Sequence, residues 1–414
     1  MEPVYIVAAK RTPIGSFNGA LAPVSAPQLG ATAIKGTLAQ AGIAPHFVDE
    51  VIVGNVLSAG MGMGPGRQAA LLAGIPASVP AYTLNMICGS GMKTVMDAVS
   101  HIRAGEADIV VACGMESMSQ APFVSASKLR DGVKMGSIHL DDSIIKDGLT
   151  DVFNDYHMGV TAENIAERSV ISREAQDEYA FQSQRRATNA LNSHRFASEI
   201  VPVEVTLRRQ QYTVELDEYP KPETSLEQLA RLRPAFKPEG TVTAGNASGI
   251  NDGASALLLV SKTALDTHGL TPIAEVIASS QSGVCPEVMG LGPVPAVASA
   301  LKKAAMTLAD VDRLELNEAF AAQALGVMKG LCEAHSVEQD WLMARTNLNG
   351  GAIALGHPLG ASGNRILTTL IYQLERDNAE YGLASLCIGG GMGTAMILRR
   401  PPTTSTAELS KEQS

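Results

Sequence analysis

The chain has 414 residues, of which 45% are hydrophobic and only 18% charged. That is enough apolar material for a large buried core spread over two or three structural units, and it excludes disorder or coiled coil as the main organisation. With 32 basic and 42 acidic residues the net charge is −10, which argues against a general nucleic-acid or membrane-surface role, so an anionic ligand needs a local basic patch. Residues 4–9 form a short apolar strand-like run, followed by turn chemistry at Arg11-Thr12-Pro13. Similar runs rich in Val, Ile, Leu or Ala recur at 51–57, 107–112, 256–260, 313–316, 383–388 and 394–398. Helical periods lie between them at 28–41, 91–104 and 297–305. Strands alternating with helices predict an α/β chain with mostly parallel sheets covered on both faces.

The stretch 119–244 reads differently, with an irregular segment at 119–150 and a polar helix at 173–192. It reads as a loop domain inserted into a first α/β half, 1–118, which 245–270 completes. A second half covers 271–400, and 401–414 is a polar tail expected to be disordered. Asp108-Ile-Val-Val-Ala-Cys113-Gly114-Met115 weakly echoes the Cys387 strand 384–392, each a buried strand ending in Cys and Gly. No apolar run approaches the roughly 18 residues of a membrane helix. The start, MEPVYIVAAKRTP, enters a strand-like stretch without the pattern of a cleaved presequence. Five scattered cysteines with no CxxC pair point to a reducing, cytoplasmic compartment, each thiol being core or catalytic. The histidines and cysteines show no metal-ligand spacing.

Three segments carry the chemistry. In Asn85-Met86-Ile87-Cys88-Gly89-Ser90-Gly91, a thiol precedes a predicted helix, whose dipole favours thiolate and lowers the pKa; a buried small hydrophobe is the alternative. In the loop from Asn347 to Gly363, glycines and a proline hold His357 ahead of a helix at 364–373, a setting suited to a general base with a near-neutral pKa. In Leu386-Cys387-Ile388-Gly389-Gly390-Gly391, a second thiol precedes a glycine run that is an oxyanion-binding nest, a phosphate turn or a plain tight hairpin. Asn317-Glu318-Ala319-Phe320 follows another strand and either offers an amide or is simply a helix start. Gly60-Met61-Gly62-Met63-Gly64 contains neither GxGxxG nor a Walker motif and reads as a flexible interface loop.

Together these segments resemble the thiolase family from residue 1 to about 400, with Arg11-Thr12-Pro13-Ile14-Gly15 as a weaker fifth motif. The resemblance implies two similar α/β halves in a five-layered αβαβα core, with a loop domain covering coenzyme A, assembled as a homodimer or homotetramer. It implies Cys88 as the acylated nucleophile, His357 as its activator and Cys387 as the acid/base at the α-carbon. Asn317, through a water, and His357 would form one oxyanion hole, and the N–H groups of Cys88 and Gly389 the other. His157-Met158 resembles acetoacetyl-CoA members and would narrow the acyl pocket, although a buried histidine capping a turn is the alternative. Ser248 would meet the pantetheine; Met158, Phe236, Met289 and Phe320 would wall it; Lys221 stands where the family often has Arg near the ADP phosphates. The expected reaction is reversible condensation of two acetyl-CoA, with coenzyme A thioesters as substrates and no metal or separate cofactor. A 3-ketoacyl-CoA thiolase of longer chain range is the nearest rival. A carrier-protein synthase would lack the second cysteine, and a non-catalytic acyl-CoA-binding relative would have lost one of Cys88, His357 or Cys387.

Overall fold

In a computed structural model describing residues 2–402, nine strands form the path of one mixed sheet. They are β1 (Val4–Arg11), β2 (Glu50–Gly54), β3 (Ala81–Leu84), β4 (Ile109–Ser117), β5 (Asn251–Ser261), β6 (Ala274–Gly283), β7 (Arg313–Leu316), β8 (Tyr381–Ile388) and β9 (Met392–Arg399). The spatial order is β7-β8-β9-β6-β1-β5-β4-β2-β3. Only Tyr5↔Glu275 and Ile6↔Ala274 join β1 to β6, so two half-sheets meet at this seam.

The halves repeat one pattern. Outward from the seam, β1-β5-β4-β2 and β6-β9-β8-β7 each run antiparallel, antiparallel, then parallel. The Cys113 strand β4 and the Cys387 strand β8 therefore occupy equivalent places, which gives the weak sequence echo a structural counterpart. The expectation of mostly parallel sheets is corrected. Antiparallel ladders dominate the centre because β8 and β9 are joined by only Gly389–Gly391, too short for the crossover that parallel neighbours need.

Seven helices position the rest: α1 (Ala26–Ala41), α2 (Ser90–Ala104), α3 (Met158–Ser169), α4 (Arg173–Asn192), α5 (Pro293–Ala304), α6 (Ala321–His335) and α7 (Ser362–Arg376). One buried cluster joins α1 to the outer face of the first half-sheet through Leu29, Ile34, Val51 and Leu258. A second fills the space between the half-sheets with α2 and α7, through Met92, Val95, Leu367, Leu370 and Leu386. A third seats α5 and α6 on the far face of the second half-sheet through Val297, Leu301, Val327 and Leu331. The result is an αβαβα stack of five layers.

Helix α7 in the middle layer is buried from Ser362 to Gln373 although half of it is polar. Its charged and hydroxyl groups find partners inside: Arg365 meets Glu315, Thr368 meets Ser255, and Thr369 donates to Glu199. Residues 119–244 lie between the neighbouring strands β4 and β5 and carry α3 and α4. No helix among the described residues is long and apolar enough to cross a membrane. The predicted tail at 401–414 falls almost wholly outside the described residues.

Candidate active site

The N-termini of α2 and α7 converge in the middle layer. A Cβ on Gly91 would lie 2.4 Å from Asn364 Oδ1, and one on Gly363 would lie 2.1 Å from Met92 N. Only glycine permits this approach, and it brings the turn carrying Cys88 beside the loop carrying His357. The Cys88 turn is tightly determined. Ile87 has φ +48°, unusual for a β-branched residue. Its N–H donates to Asn85 Oδ1 at 2.9 Å, while Ser90 Oγ accepts from Met86 N–H at 2.8 Å and donates to the Ile87 carbonyl at 2.7 Å.

Cys88 lies just before the helix, as expected, but the expected low pKa is corrected. Burial pushes its thiol up to about 11, against the backbone N–H groups of Gly389 and of Cys88 itself, which favour thiolate. Desolvation outweighs these N–H groups here. Cys387 is fully buried at the end of β8, where burial raises its thiol, with the Coulomb effect of Cys88 adding to it. Both sulfurs are therefore protonated at rest. The glycine run after Cys387 makes the β8–β9 hairpin, the plainest of its readings, and it also turns the Gly389 N–H toward Cys88.

His357 is held from two sides. Its backbone N–H donates to Asn251 Oδ1 at 2.9 Å, and Nδ1 lies 2.6 Å from Ser362 Oγ. Because the Ser362 hydroxyl donates to the Pro358 carbonyl at 2.9 Å, its lone pair receives Nδ1–H, leaving Nε2 as the free acceptor. The near-neutral pKa expected for this group is also corrected: burial, helped by the charge of Arg365, lowers it to about 3. A neutral imidazole faces the site. Asn317 Nδ2 lies 3.5 Å from Nε2, and Asn317 Oδ1 is buried without a hydrogen-bond partner among the described residues. A buried amide oxygen in that position suits a bound water or substrate group.

The apolar wall forms as a unit. Met158, Met289, Phe320 and Cys387 share one buried cluster with Phe236 packed against it. The His157 ring stacks on Phe236 at 4.6 Å, and Phe236 meets Phe320 edge-on at 6.0 Å. His157 also caps α3, its Nδ1 accepting from Gly159 N–H at 3.0 Å, so one residue both caps the helix and stacks on the apolar cluster. Burial lowers its pKa and keeps it neutral. Ser248 adjoins the cluster through its N–H to the Ala319 carbonyl at 2.9 Å. Lys221 is not brought into the cluster; its ammonium sits 5.1 Å from the Tyr219 ring, and Tyr219 packs on Gly249.

A cavity of about 600 Å³ lined by Val56, Ile87, Met158, Gly389 and Gly390 opens at this place. Another of about 620 Å³ around Lys10, Tyr372 and Arg400 is lined by none of the motif residues. Three residues went unread in the sequence. Ser362 sits five positions after His357, near enough for a hydroxyl partner to be sought. Asn251 is 106 positions away and carries no local signal. Buried Glu116 accepts from Asn55 Nδ2 and from the N–H groups of Val56, Leu57 and Gly360 at 2.8–3.1 Å, bracing the His357 loop against β4. The reading of every thiol as core or catalytic is corrected too, since Cys285 is exposed and Cys332 half-buried.

Comparison with known proteins agrees with this geometry. Residues 4–263 match the family described as "Thiolase, N-terminal domain" and residues 270–400 match "Thiolase, C-terminal domain". Acetyl-CoA acetyltransferase of Chromobacterium violaceum is 53% identical over 399 residues, covering 96% of this chain and 100% of that protein. A rat protein named acetyl-CoA acetyltransferase, cytosolic, is 52% identical over 401 residues, covering 96% of this chain and 98% of the relative. The crystal structure of human mitochondrial 3-ketoacyl-CoA thiolase in complex with CoA superposes with a TM-score of 0.91 at 44% identity, covering 97% of this chain and 98% of that one.

Proposed function

The chain belongs to the thiolase family, and on that premise we propose that it is an acetyl-CoA C-acetyltransferase, an acyltransferase interconverting two acetyl-CoA with acetoacetyl-CoA and free CoA. The observation that carries this reading is the convergence, in one buried place, of the Cys88 turn and the His357 loop, whose imidazole is held at Nδ1 by Ser362 and lies beside Asn317, with buried Cys387 and the Gly389 N–H next to Cys88. The names of the bacterial and rat relatives support the acetyl specificity.

In the cleavage direction, His357 Nε2 takes the Cys88 proton as the sulfur attacks the 3-keto carbon of acetoacetyl-CoA. The N–H groups of Cys88 and Gly389 receive the developing oxyanion. The carbon–carbon bond breaks, the acetyl group stays on Cys88, and the departing enolate lies by Asn317 and the protonated imidazole. Cys387 gives its proton to the enolate carbon, releasing acetyl-CoA. Its thiolate recovers a proton from the imidazolium, and His357 then takes the proton of incoming CoA as the CoA sulfur attacks the acetyl group. Cys88 leaves and recovers its proton from His357, so all three groups return to their starting states. Condensation is the same path reversed. The burial that raises both thiols suits this sequence, because each begins as a proton donor.

We also infer that 119–244 covers the CoA arm, since this segment supplies His157, Met158 and Phe236 to the wall. Ser248 lies at its pantetheine and Lys221 toward its phosphates. Exposed Phe123, Met135 and Leu140 on the same segment support a homodimer or homotetramer. The cytosolic relative supports a cytoplasmic location. The activity is tested by CoA-dependent cleavage of a 3-ketoacyl-CoA length series. The wall formed by His157, Met158 and Phe236 predicts at least about tenfold higher kcat/KM for the four-carbon substrate than for the ten-carbon one, roughly 1.4 kcal/mol in the transition state. Equal efficiency for both would assign the chain to the longer-chain rival.

A further inference from the structure

Beside Asn317 lies a buried carboxylate with no part in the steps above. Glu318 is 1% exposed and accepts four hydrogen bonds: from Asn347 Nδ2 at 2.8 Å, Tyr179 Oη at 3.2 Å, Ser183 Oγ at 2.7 Å and Ile353 N–H at 3.3 Å. The donors come from two directions. Asn347 and Ile353 belong to the chain that leads into His357, whereas Tyr179 and Ser183 lie on α4 of the inserted segment. The fit is close: a Cβ on Gly351 would fall 2.2 Å from Glu318 Cδ, and Gly351 N–H donates to Ser183 Oγ at 3.1 Å. Asn347 in turn brackets the residue before Asn317, accepting from Leu316 N–H at 2.9 Å and donating to the Leu316 carbonyl at 2.7 Å.

We propose that Glu318 is a positioning residue that joins the end of β7, the approach to His357 and helix α4, and thereby aims the Asn317 amide at the enolate. This rests on the reading of Asn317 as an enolate-stabilising group. Glu318 touches neither cysteine and reaches the reacting atoms only through its neighbours. All four of its partners are donors, so an amide in its place sets one N–H against another donor. The chain relaxes, and the first group displaced is the amide of the preceding residue, Asn317. Acylation of Cys88 by acetyl-CoA uses the Gly389 and Cys88 N–H groups, which stand on other elements, and tolerates the change.

The test compares Glu318→Gln, Asn317→Ala and the double variant in thiolysis of acetoacetyl-CoA and in acetylation of Cys88. Glu318→Gln should lower the thiolysis kcat by about tenfold or more while KM and the acetylation rate stay within about threefold. The double variant should be no worse than Asn317→Ala alone, because coupled sites do not add. Multiplying losses, or equal losses in acetylation and thiolysis, would reduce Glu318 to a general structural role and overturn the inference. If Asn317→Ala itself leaves thiolysis intact, the reading of Asn317 fails instead. Should Glu318→Gln not fold, Tyr179→Phe removes one donor, and the same split is expected at about threefold; no split there also overturns the inference.

Discussion

His357 Nδ1 and Ser362 Oγ lie 2.6 Å apart, and the same hydroxyl donates to the Pro358 carbonyl one residue beyond the imidazole. One serine thus both fixes the tautomer and closes the turn that carries the ring. With the imidazole buried and its pKa lowered to about 3, this hydroxyl decides which nitrogen is left as the acceptor.

Changing Ser362 to Ala leaves a buried Nδ1–H without its acceptor. Single-turnover acetylation of Cys88 should slow by about 10- to 100-fold, the range of a misdirected general base. Thermal unfolding should move little in comparison, since the helix start keeps its backbone. Acetylation at the original rate would show that the ring is oriented by Asn251 and packing alone.

The pH dependence follows from the two corrected ionisations. With the Cys88 thiol pushed up to about 11 and His357 lowered to about 3, burial disfavours a thiolate–imidazolium pair at rest. Iodoacetamide alkylation of Cys88 should therefore climb through pH 9 without a plateau. A plateau between pH 6 and 8 would reveal a resting ion pair. For stability the sign is set by the depressed histidine. The unfolded chain binds a proton at His357 below its ordinary value of 6.5, whereas the folded chain does not until about 3. Stability is lost as pH falls through that window, and His357→Gln should flatten the loss.

Arg11 makes a third prediction, on stability. It is fully buried, with Nε 2.6 Å from Glu199 and its two terminal nitrogens 2.7 and 2.9 Å from the Asp217 oxygens. The end of β1 is thereby tied to two points of the inserted segment. Arg11→Met leaves two buried carboxylates uncompensated and should cost about 3–5 kcal/mol in denaturant unfolding. A change below about 1 kcal/mol would mean that those carboxylates are protonated or rehydrated in the variant.

What could be read in advance was local. The polar helix read at 173–192 is α4, begun by Ser172, whose side chain accepts from Ala175 N–H. The Cys88, His357 and Cys387 segments stand out because each joins a strand or loop to a glycine-rich turn, and Asn317 because it follows directly on a strand. What escaped was non-local. Strand direction depends on partners such as β1 and β5, whose residues are about 250 positions apart. The helix-dipole argument for Cys88 was sound in sign, but it omitted burial between two half-sheets, which is the larger effect. Ser362, Asn251 and Glu116 matter through contacts that only the folded chain creates.

The central claim is a division of labour between two cysteines, and Cys387→Ala tests it most directly. This change keeps the hairpin backbone and removes only the thiol. Acetyl exchange between CoA molecules makes no carbon–carbon bond and can return its proton through His357, so the variant should still acetylate Cys88 and still exchange. Condensation and thiolysis move a proton at the α-carbon and should fall by at least the roughly 10²-fold expected for a lost general acid/base. Cys88→Ala should lose both activities. Acetyl exchange and condensation falling equally in Cys387→Ala, or an acetyl label found on Cys113, Cys285 or Cys332, would contradict the account.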